Sequence, residues 1–410
     1  MASRFKTQPD LKVYNTMTMQ KEPFQTRIPG KVSMFVCGPT VQSYLHVGHA
    51  RTYTFYDVVA RYLSHLGFEV NFLMNVTDID DKITQAAKAE GMDPIRLAER
   101  YTKAFLEDTD SLKIYTVTKY ERVSNYVQET MRQISTLIAS GNAYVADGTV
   151  YFNTATFPDF GKLSHLTTKE LSLRPLELSV KKKHLLDFAL WRPVILVEGR
   201  WDSPWGRGSP GWHIQDTAVT LTNFGPQYDV HGGGYELIYP HHEAEIAQGE
   251  SLTKVKPLVK YWVHTGLVNI EGNKMSKSLG NVLSVRDALK QYGSDTLRLY
   301  LLSHHYRVDM DFQEKGLKQM HETYLALRAK AKIMEERRAT KARRRDSGKV
   351  LAQFYAFLND DFDTPQAIAF MMKLIEDGAS EKDQNQVELY YEALRITSNI
   401  LGVNFFGRLQ

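Results

Sequence analysis

The chain has 410 residues, with 51 Lys and Arg against 47 Asp and Glu, a formal charge of +4, and 43% hydrophobic residues. This balance excludes a mainly disordered chain or a coiled coil and predicts a globular protein of two or three domains. The single cysteine, Cys37, excludes a disulfide framework and any metal site built from several thiolates of one chain. A signal-peptide pattern and a long apolar run are both lacking, so we expect a cytoplasmic protein with no membrane segment.

The first part of the chain predicts a βαβ unit. Residues 31–37 form a short apolar, β-branched run that ends in a Gly-Pro pair, as expected of a buried parallel strand. Apolar residues then recur at spacings of three and four over 58–66, and Gly67 is expected to end this helix. A second apolar run covers 68–76. Strand, helix and strand in this order build a doubly wound α/β domain.

The pattern changes near residue 118, where a helix and two short strands predict an inserted subdomain. The α/β pattern resumes with WHIQDTAVTLTNF and YDVHGGG and with a helix that begins at Pro240. After residue 296 the chain is predicted to be mostly helical. Ten basic and three acidic residues between Arg328 and Lys349 indicate an exposed helix that runs into a linker.

The motif His46-Val47-Gly48-His49 is expected on the loop between the first strand and the first helix. Two imidazoles and backbone N–H groups at the positive end of a helix can bind a phosphate, which approaches closely because glycine has no Cβ. Taken alone, two such histidines are more often a capping or packing pair than a functional one.

A second motif, Lys274-Met275-Ser276-Lys277-Ser278, follows an apolar run and is bounded by Gly280. Two lysines with small hydroxyl residues between them can supply mobile positive charge to a polyphosphate as it loses its leaving group. A solvated turn is the alternative for this motif by itself. The presence of both motifs in this order makes a chance match improbable.

Four further stretches accompany these motifs: NVTDIDDKI, SPWGRGSPGWHI, DVHGGG and PHHEAEIAQ. With HVGH and KMSKSLGN they resemble the cysteinyl-tRNA synthetase group of class I aminoacyl-tRNA synthetases, over about residues 11–402. The resemblance implies attack of an amino-acid carboxylate, by default that of cysteine, on the α-phosphate of ATP. Transfer of the aminoacyl group to the 3′-terminal ribose of tRNA would follow, with ATP and Mg²⁺ required.

The resemblance also implies roles for individual residues. The catalytic residues would be His46, His49, Lys274 and Lys277. The ATP-binding residues would be His46, Gly48, His49, Ser276 and Lys277. The amino-acid pocket would include Thr77, Trp212 and His231, although Trp212 could equally be a core aromatic and Thr77 a cap on the following turn.

The family's amino-acid pocket holds a zinc ion on two cysteines, a histidine and a glutamate, and here the sequence departs from that pattern. The matching residues are Cys37, Asp216, His241 and Glu245, so an aspartate stands where the second cysteine is expected. Aspartate is still an acceptable ligand, which would give a harder site that binds zinc more weakly or accepts another metal. The alternative is that zinc has been lost and that the carboxylates favour an amino or hydroxyl group. We favour a retained metal, because two unpaired carboxylates would be electrostatically costly.

A second departure concerns the C-terminus. The family's usual small anticodon-reading domain is expected to be absent, since the sequence stops at Gln410 soon after a stretch that resembles the family's helical bundle. Recognition of tRNA would then depend on the bundle, the insertion and the basic stretch from Arg328 to Lys349, which can neutralise phosphates. For that stretch a solvated helix face is the alternative.

We therefore expect a ligase with an α/β, Rossmann-type doubly wound parallel sheet, an inserted subdomain and a C-terminal helical bundle. The expected divisions are 1–117 and 196–300 for the two halves of the catalytic domain, 118–195 for the insertion, 301–345 for a helical stem-contact region and 346–410 for the bundle. Two alternatives stay open: a paralogue that ligates an amino acid to a small amine or another non-tRNA acceptor, and a non-catalytic binding paralogue. The sequence does not indicate an oligomeric state.

Overall fold

A computed structural model describes residues 10–174, 181–193, 201–270, 273–274, 284–338 and 347–406. Its strands are β1 (Lys12–Asn15), β2 (Gln20–Pro23), β3 (Lys31–Val36), β4 (Glu69–Val76), β5 (Lys119–Arg122), β6 (Ala143–Ala146), β7 (Thr149–Phe152), β8 (Phe188–Pro193), β9 (Gly208–Pro210), β10 (Tyr228–Gly234), β11 (Val259–Thr265), β12 (Val268–Ile270), β13 (Asn273–Lys274) and β14 (Met310–Phe312). Its α-helices are α1 (Val47–His65), α2 (Asp81–Glu90), α3 (Pro94–Ser111), α4 (Val127–Ala139), α5 (Thr168–Ser172), α6 (Trp212–Phe224), α7 (Glu243–Thr253), α8 (Val285–Leu302), α9 (Glu314–Arg337), α10 (Gly348–Asn359), α11 (Thr364–Ser380) and α12 (Gln384–Leu401).

Five parallel strands form the central sheet, in the order β11-β10-β3-β4-β5. Met34 lies opposite both Phe72 on β4 and Val230 on β10, so β3 is an interior strand. Its buried apolar residues are typical of a parallel strand covered on both faces by helices. The strand order reverses between β3 and β10, and ligands of open α/β sheets bind beyond the carboxyl ends of the strands at such a point. The predicted α/β fold is confirmed.

Helix α1 begins earlier than the sequence pattern predicted. His46 is its N-cap, with an extended backbone (φ −109°, ψ 166°), and the helix already includes Val47, Gly48 and His49. The HVGH motif therefore forms the first turn of α1. Our expectation that it lies on the preceding loop was wrong. At its other end the helix stops as predicted, because Gly67 takes a left-handed φ of +92° that favours glycine.

The insertion is a four-stranded antiparallel sheet in the order β6-β7-β8-β9. We expected the insertion to begin at residue 118, and β5, which follows that boundary, pairs in parallel with β4 in the central sheet. Glu243, at the start of α7, binds a loop of the insertion: its buried carboxylate accepts backbone N–H groups from Gly161, Leu163 and Ser164 at 2.8–3.1 Å. The insertion thereby holds the N-terminal end of α7 in place.

The C-terminal part of the described chain is mostly helical, as expected, with α9 to α12 packed as a bundle and β13-β12-β14 as a small separate sheet. Arg298 of α8 ties this part to α1. Its guanidinium lies 2.7 Å from Asp57 Oδ2 and also donates to the Leu112 and Leu401 carbonyls, and neither member of the ion pair is exposed. The basic stretch continues α9 as far as Arg337, and residues 339–346 lie outside the described residues. Among the described helices, none is long and apolar enough to span a membrane.

Candidate active site

A cavity of about 430 Å³ lies at the carboxyl edge of the central sheet, where the strand order reverses. The loop after β3 and the first turn of α1 line one side, and the segments after β10 and β11 line the other. This is the place where α/β sheets of this kind bind ligands. The cavity has two chemically different ends, a helix N-terminus with two histidines and a buried cluster around Cys37.

The helix end of the cavity is formed by His46, Gly48 and His49, all three of which line it. The two imidazole rings stack with centroids 3.7 Å apart, and the His46 backbone N–H donates to His49 Nδ1 at 3.4 Å. Because α1 begins at Val47, the cavity also lies at the helix terminus that carries partial positive charge. This arrangement suits a phosphate group.

The structure describes only the first residue of the lysine motif, Lys274. The backbone of Lys274 lies in β13 and pairs with Asn269 of β12, whereas Ser276 and Lys277 lie outside the described residues. The described chain resumes at Ser284, which forms an antiparallel bridge with His46. The described chain therefore resumes, after the residues that carry the motif, beside the helix end of the cavity.

At the opposite end, Cys37, His241, His242 and Glu245 each offer one ligand atom, all within 4.8 Å of one another and all buried. Asp216 joins this cluster, because its Oδ2 lies 3.0 Å from His241 Nε2 and 3.6 Å from Cys37 Sγ. All four residues expected at the metal are thus brought together. The structure adds His242, whose Nε2 lies 3.2 Å from the Cys37 sulfur.

Two local features explain how the cluster forms. Cys37 directly follows β3, and its backbone N–H donates to the Gly232 carbonyl of β10 at 3.0 Å. The neighbours His241 and His242 both reach the cluster because an irregular wide turn over 238–242, with non-helical angles at Tyr239, precedes α7. In a regular helix adjacent side chains diverge, so this turn is what adds the second histidine.

Asn75 binds the carboxylate oxygen of Asp216 that does not face the cluster. Its Nδ2 donates to Asp216 Oδ1 at 2.6 Å, and its Oδ1 accepts the backbone N–H of Gly38 at 2.5 Å. Gly38 is required here, because a Cβ at this position would collide with the Asn75 carbonyl. Asn75 therefore leaves Oδ2 of Asp216 to face Cys37 and His241, an orientation that suits a metal ligand.

The electrostatics of the cluster favour a bound cation. Burial, followed by the charges of Asp216 and Glu245, raises the pKa of the Cys37 thiol well above its usual value. Burial and the neighbouring Asp216 likewise raise the pKa of Glu245, whose Oε1 lies 3.0 Å from His241 Nε2. A divalent cation would reverse both shifts by pairing with the anionic forms. Sulfur, imidazole and carboxylate donors are those zinc takes in proteins, so the residues fit such an ion.

The three residues expected in the amino-acid pocket occupy different positions. Trp212 lines the cavity and stacks on the ring of His241, with centroids 4.1 Å apart, so it joins the cavity to the cluster. His231 is fully buried, with Nε2 3.4 Å from Cys37 Sγ. Thr77 is also buried and contacts Asn75. Of these three residues, Trp212 belongs to the lining of the cavity, whereas His231 and Thr77 do not.

Lys82 and Glu236 also line the cavity, although the sequence patterns did not indicate them. The Lys82 ammonium lies 5.4 Å from the ring centroid of Trp212. Glu236 approaches its own chain closely, because a Cβ on Gly234 would meet its carboxylate at 2.5 Å. The run of three glycines before it was the available signal for such a close approach.

Family models match both parts of the chain. Residues 23–322 match the model described as the tRNA synthetases class I (C) catalytic domain. Residues 353–406 match the DALR domain model. The first match covers the central sheet, the insertion and the cavity, and the second covers most of the C-terminal helices.

Among curated proteins, the chain is similar to the cysteine–tRNA ligase of Carboxydothermus hydrogenoformans, at 40% identity over 96% of this chain and 87% of that protein. It is similar to the cysteine–tRNA ligase of Staphylothermus marinus at 41% identity, over 96% and 86% respectively. Among solved structures, Mycobacterium tuberculosis methionyl-tRNA synthetase in complex with methionyl-adenylate aligns with a TM-score of 0.66 at 16% identity, over 90% of this chain and 89% of that one. At this identity the last likeness concerns the fold alone.

Proposed function

The chain belongs to the cysteinyl-tRNA synthetase family, and from this premise we propose that it activates cysteine with ATP and transfers the cysteinyl group to tRNA. The observation that supports this function best is the two-ended cavity. One end offers a helix terminus with His46 and His49 for phosphate, and the other offers the buried cluster around Cys37. ATP and an amino acid with a metal-binding side chain would meet between these ends.

In the activation step, a carboxylate oxygen of cysteine attacks the α-phosphorus of ATP, and the bond from that phosphorus to the bridging oxygen breaks. Pyrophosphate leaves and cysteinyl-adenylate remains. We assign His46, His49 and the N-terminus of α1 to the ATP phosphates, where they hold the triphosphate for attack and oppose its charge. From the motif, we assign Lys274 and Lys277 to the leaving pyrophosphate, to which they would supply positive charge, with Mg²⁺ accompanying ATP.

We assign Cys37, Asp216, His241 and Glu245, with His242 beside them, to a divalent metal, zinc being the ion that these donors fit. These residues would hold the ion, which would supply a site for a thiolate and so separate cysteine from amino acids with a hydroxyl or methyl group. Trp212 forms the wall between this cluster and the open cavity. Asn75 holds Asp216 in the orientation that the ion requires.

In the transfer step, a hydroxyl of the 3′-terminal ribose of tRNA attacks the adenylate carbonyl carbon, and AMP leaves. The match of residues 353–406 to the DALR domain supports a tRNA partner. Helix α9 presents Lys315, Lys318 and Lys332 at its exposed surface. Such residues bind backbone phosphates without reading bases, so we assign α9 and the bundle to the body of the tRNA.

The proposed function is tested by ATP–pyrophosphate exchange with cysteine, serine and alanine, followed by aminoacylation of purified tRNA. We expect exchange with cysteine and charging of tRNA, and no exchange with serine, which differs from cysteine only in having oxygen in place of sulfur. Exchange with cysteine but no charged tRNA would identify a ligase with another acceptor. Exchange with serine in place of cysteine would contradict the assigned metal, and the absence of any exchange would leave a binding paralogue.

A further inference from the structure

Arg51 lies on α1 shortly after the HVGH motif and makes an unusual set of contacts for a buried cation. Its side chain is 2% exposed, and its guanidinium donates to the carbonyls of Gly266 at 3.0 Å, Leu267 at 2.9 Å and His305 at 3.1 Å. The Val308 carbonyl also accepts from it. Burial lowers the pKa of Arg51 to about 10, which still leaves the group charged at neutral pH.

These carbonyls belong to two segments that lead into the small sheet β13-β12-β14. Gly266 and Leu267 form the turn between β11 and β12, and β12 pairs with β13 through Asn269 and Lys274. Val308 precedes β14, which pairs with β12 on its other side. One guanidinium on the HVGH helix therefore binds the segments that lead into β12 and β14, and β12 pairs directly with the backbone that carries Lys274.

The packing around Gly266 shows that this junction is closely fitted. The Gly266 N–H donates to the Tyr306 carbonyl at 2.7 Å, and the Met310 N–H donates to the Leu267 carbonyl at 2.8 Å. A Cβ on Gly266 would collide with the carbonyl group of Val308. Because residue 266 is glycine, the two segments can approach each other closely enough for both to bind Arg51.

The chemistry of Arg51 favours a role in positioning. A buried charge is seldom a better source of stability than apolar packing of the same size. Several bonds from a rigid, planar group do define relative position, because the guanidinium directs its donors in a fixed geometry. Arg51 and His49 lie on the same rigid helix, so bonds from Arg51 set where β12 and β13 lie relative to the histidines.

We propose that Arg51 is a positioning residue for adenylate formation, holding the β13-β12-β14 sheet against the HVGH helix so that Lys274 and the two histidines act on the same triphosphate. The inference rests on the proposed function, because the triphosphate is the substrate that both motifs would share. Arg51 itself does not belong to the lining of the cavity, and the inference assigns the coupling of the two motifs to this one side chain.

The test compares Arg51→Met with Arg51→Lys and with Arg61→Met as the matched control. Arg61 also lies on α1, but it donates to the carbonyls of Lys113 and Asn399, away from the cavity. For Arg51→Met we expect kcat of cysteine-dependent exchange to fall about 10²-fold and KM for ATP and pyrophosphate to rise, with KM for cysteine changed by less than about twofold. Arg51→Lys should recover part of kcat, and Arg61→Met should retain wild-type kinetics.

A second variant and a second measurement keep this inference testable if Arg51→Met folds poorly. Gly266→Ala leaves the charge in place but separates the two segments, and because Gly266 also lines the cavity, its readout is hydrogen exchange and not KM for ATP. Hydrogen exchange should accelerate at the Gly266 and Met310 amides in either variant, and not at the Cys37 amide of the central sheet.

A loss of kcat that only follows a loss of folded protein, with KM for ATP and pyrophosphate unchanged, would overturn the positioning role. Failure of the wild-type protein to exchange with cysteine would instead contradict the proposed function. Unchanged hydrogen exchange at Gly266 and Met310 in both variants would show that Arg51 does not hold this junction, whatever the activity.

Discussion

Replacing His49 with alanine is expected to lower kcat for cysteine-dependent ATP–pyrophosphate exchange by about 10²–10³-fold, the usual cost of losing a donor that stabilises transition-state charge. His49 lines the cavity at the N-terminus of α1, and its Nδ1 accepts the backbone N–H of His46. The substitution removes one group from the phosphate end of the cavity and releases the ring stacked on it. The cluster around Cys37 is untouched, so KM for cysteine should be unchanged.

The matched control is His65→Ala. His65 is a histidine in the last turn of the same helix, with Nε2 2.9 Å from the Tyr355 hydroxyl and far from the cavity. Exchange kinetics and thermal unfolding of both variants are the measurements. If His49→Ala keeps kcat within about threefold of wild type, His49 does not act on the transferred phosphate.

The second prediction concerns Asp216, where the two carboxylate oxygens have different partners. Asn75 holds Oδ1, and Oδ2 faces His241 and Cys37. We expect Asp216→Asn to reduce zinc affinity by at least about 10²-fold and to raise KM for cysteine, because a ligand charge is lost while the side-chain shape is kept. Asp216→Cys should retain zinc at least as well as wild type, since thiolate is a strong zinc ligand.

Metal content after equilibration with buffered zinc tests this without reference to activity. Cobalt substitution adds a spectroscopic measurement, because the sulfur-to-cobalt charge-transfer band should be stronger in Asp216→Cys than in wild type. Glu250→Gln is the control: Glu250 is buried on α7 beyond Glu245 and pairs with Lys162 at 2.7 Å. Equal zinc affinity and equal cobalt spectra in wild type and both Asp216 variants would show that Asp216 does not bind the metal.

Patterns within short segments predicted much of the fold. The apolar runs over 31–37 and 68–76 became interior strands, and Gly67 ended the first helix, because local periodicity and a positive φ are read directly from residue type. The resemblance also grouped Cys37, Asp216, His241 and Glu245, and the structure places these four residues together. Their roles as ligands stay predictions, as do those of His46 and His49 at ATP.

What the sequence could not predict depends on contacts between distant segments or on irregular backbone. Histidine is a weak N-cap by propensity, so the start of α1 directly after His46 was missed. His242 reaches Cys37 because of an irregular turn that residue types do not reveal. Arg51 donates to backbone carbonyls such as those of Gly266 and Val308. Every residue has a backbone carbonyl, so the sequence does not show which of them a given guanidinium will bind.

The position of β3 between β4 and β10 has a consequence for synthesis on the ribosome. When residues 31–76 have been synthesised, β3 can pair with β4, but its other edge stays unpaired until residues 228–234 have also been made. Cys37 directly follows β3. Until β10 and the later residues are made, it lacks both the neighbouring strand and the imidazole and carboxylate groups that surround it in the folded protein. We therefore expect the one thiol of the chain to be most accessible to oxidants before β10 pairs with β3.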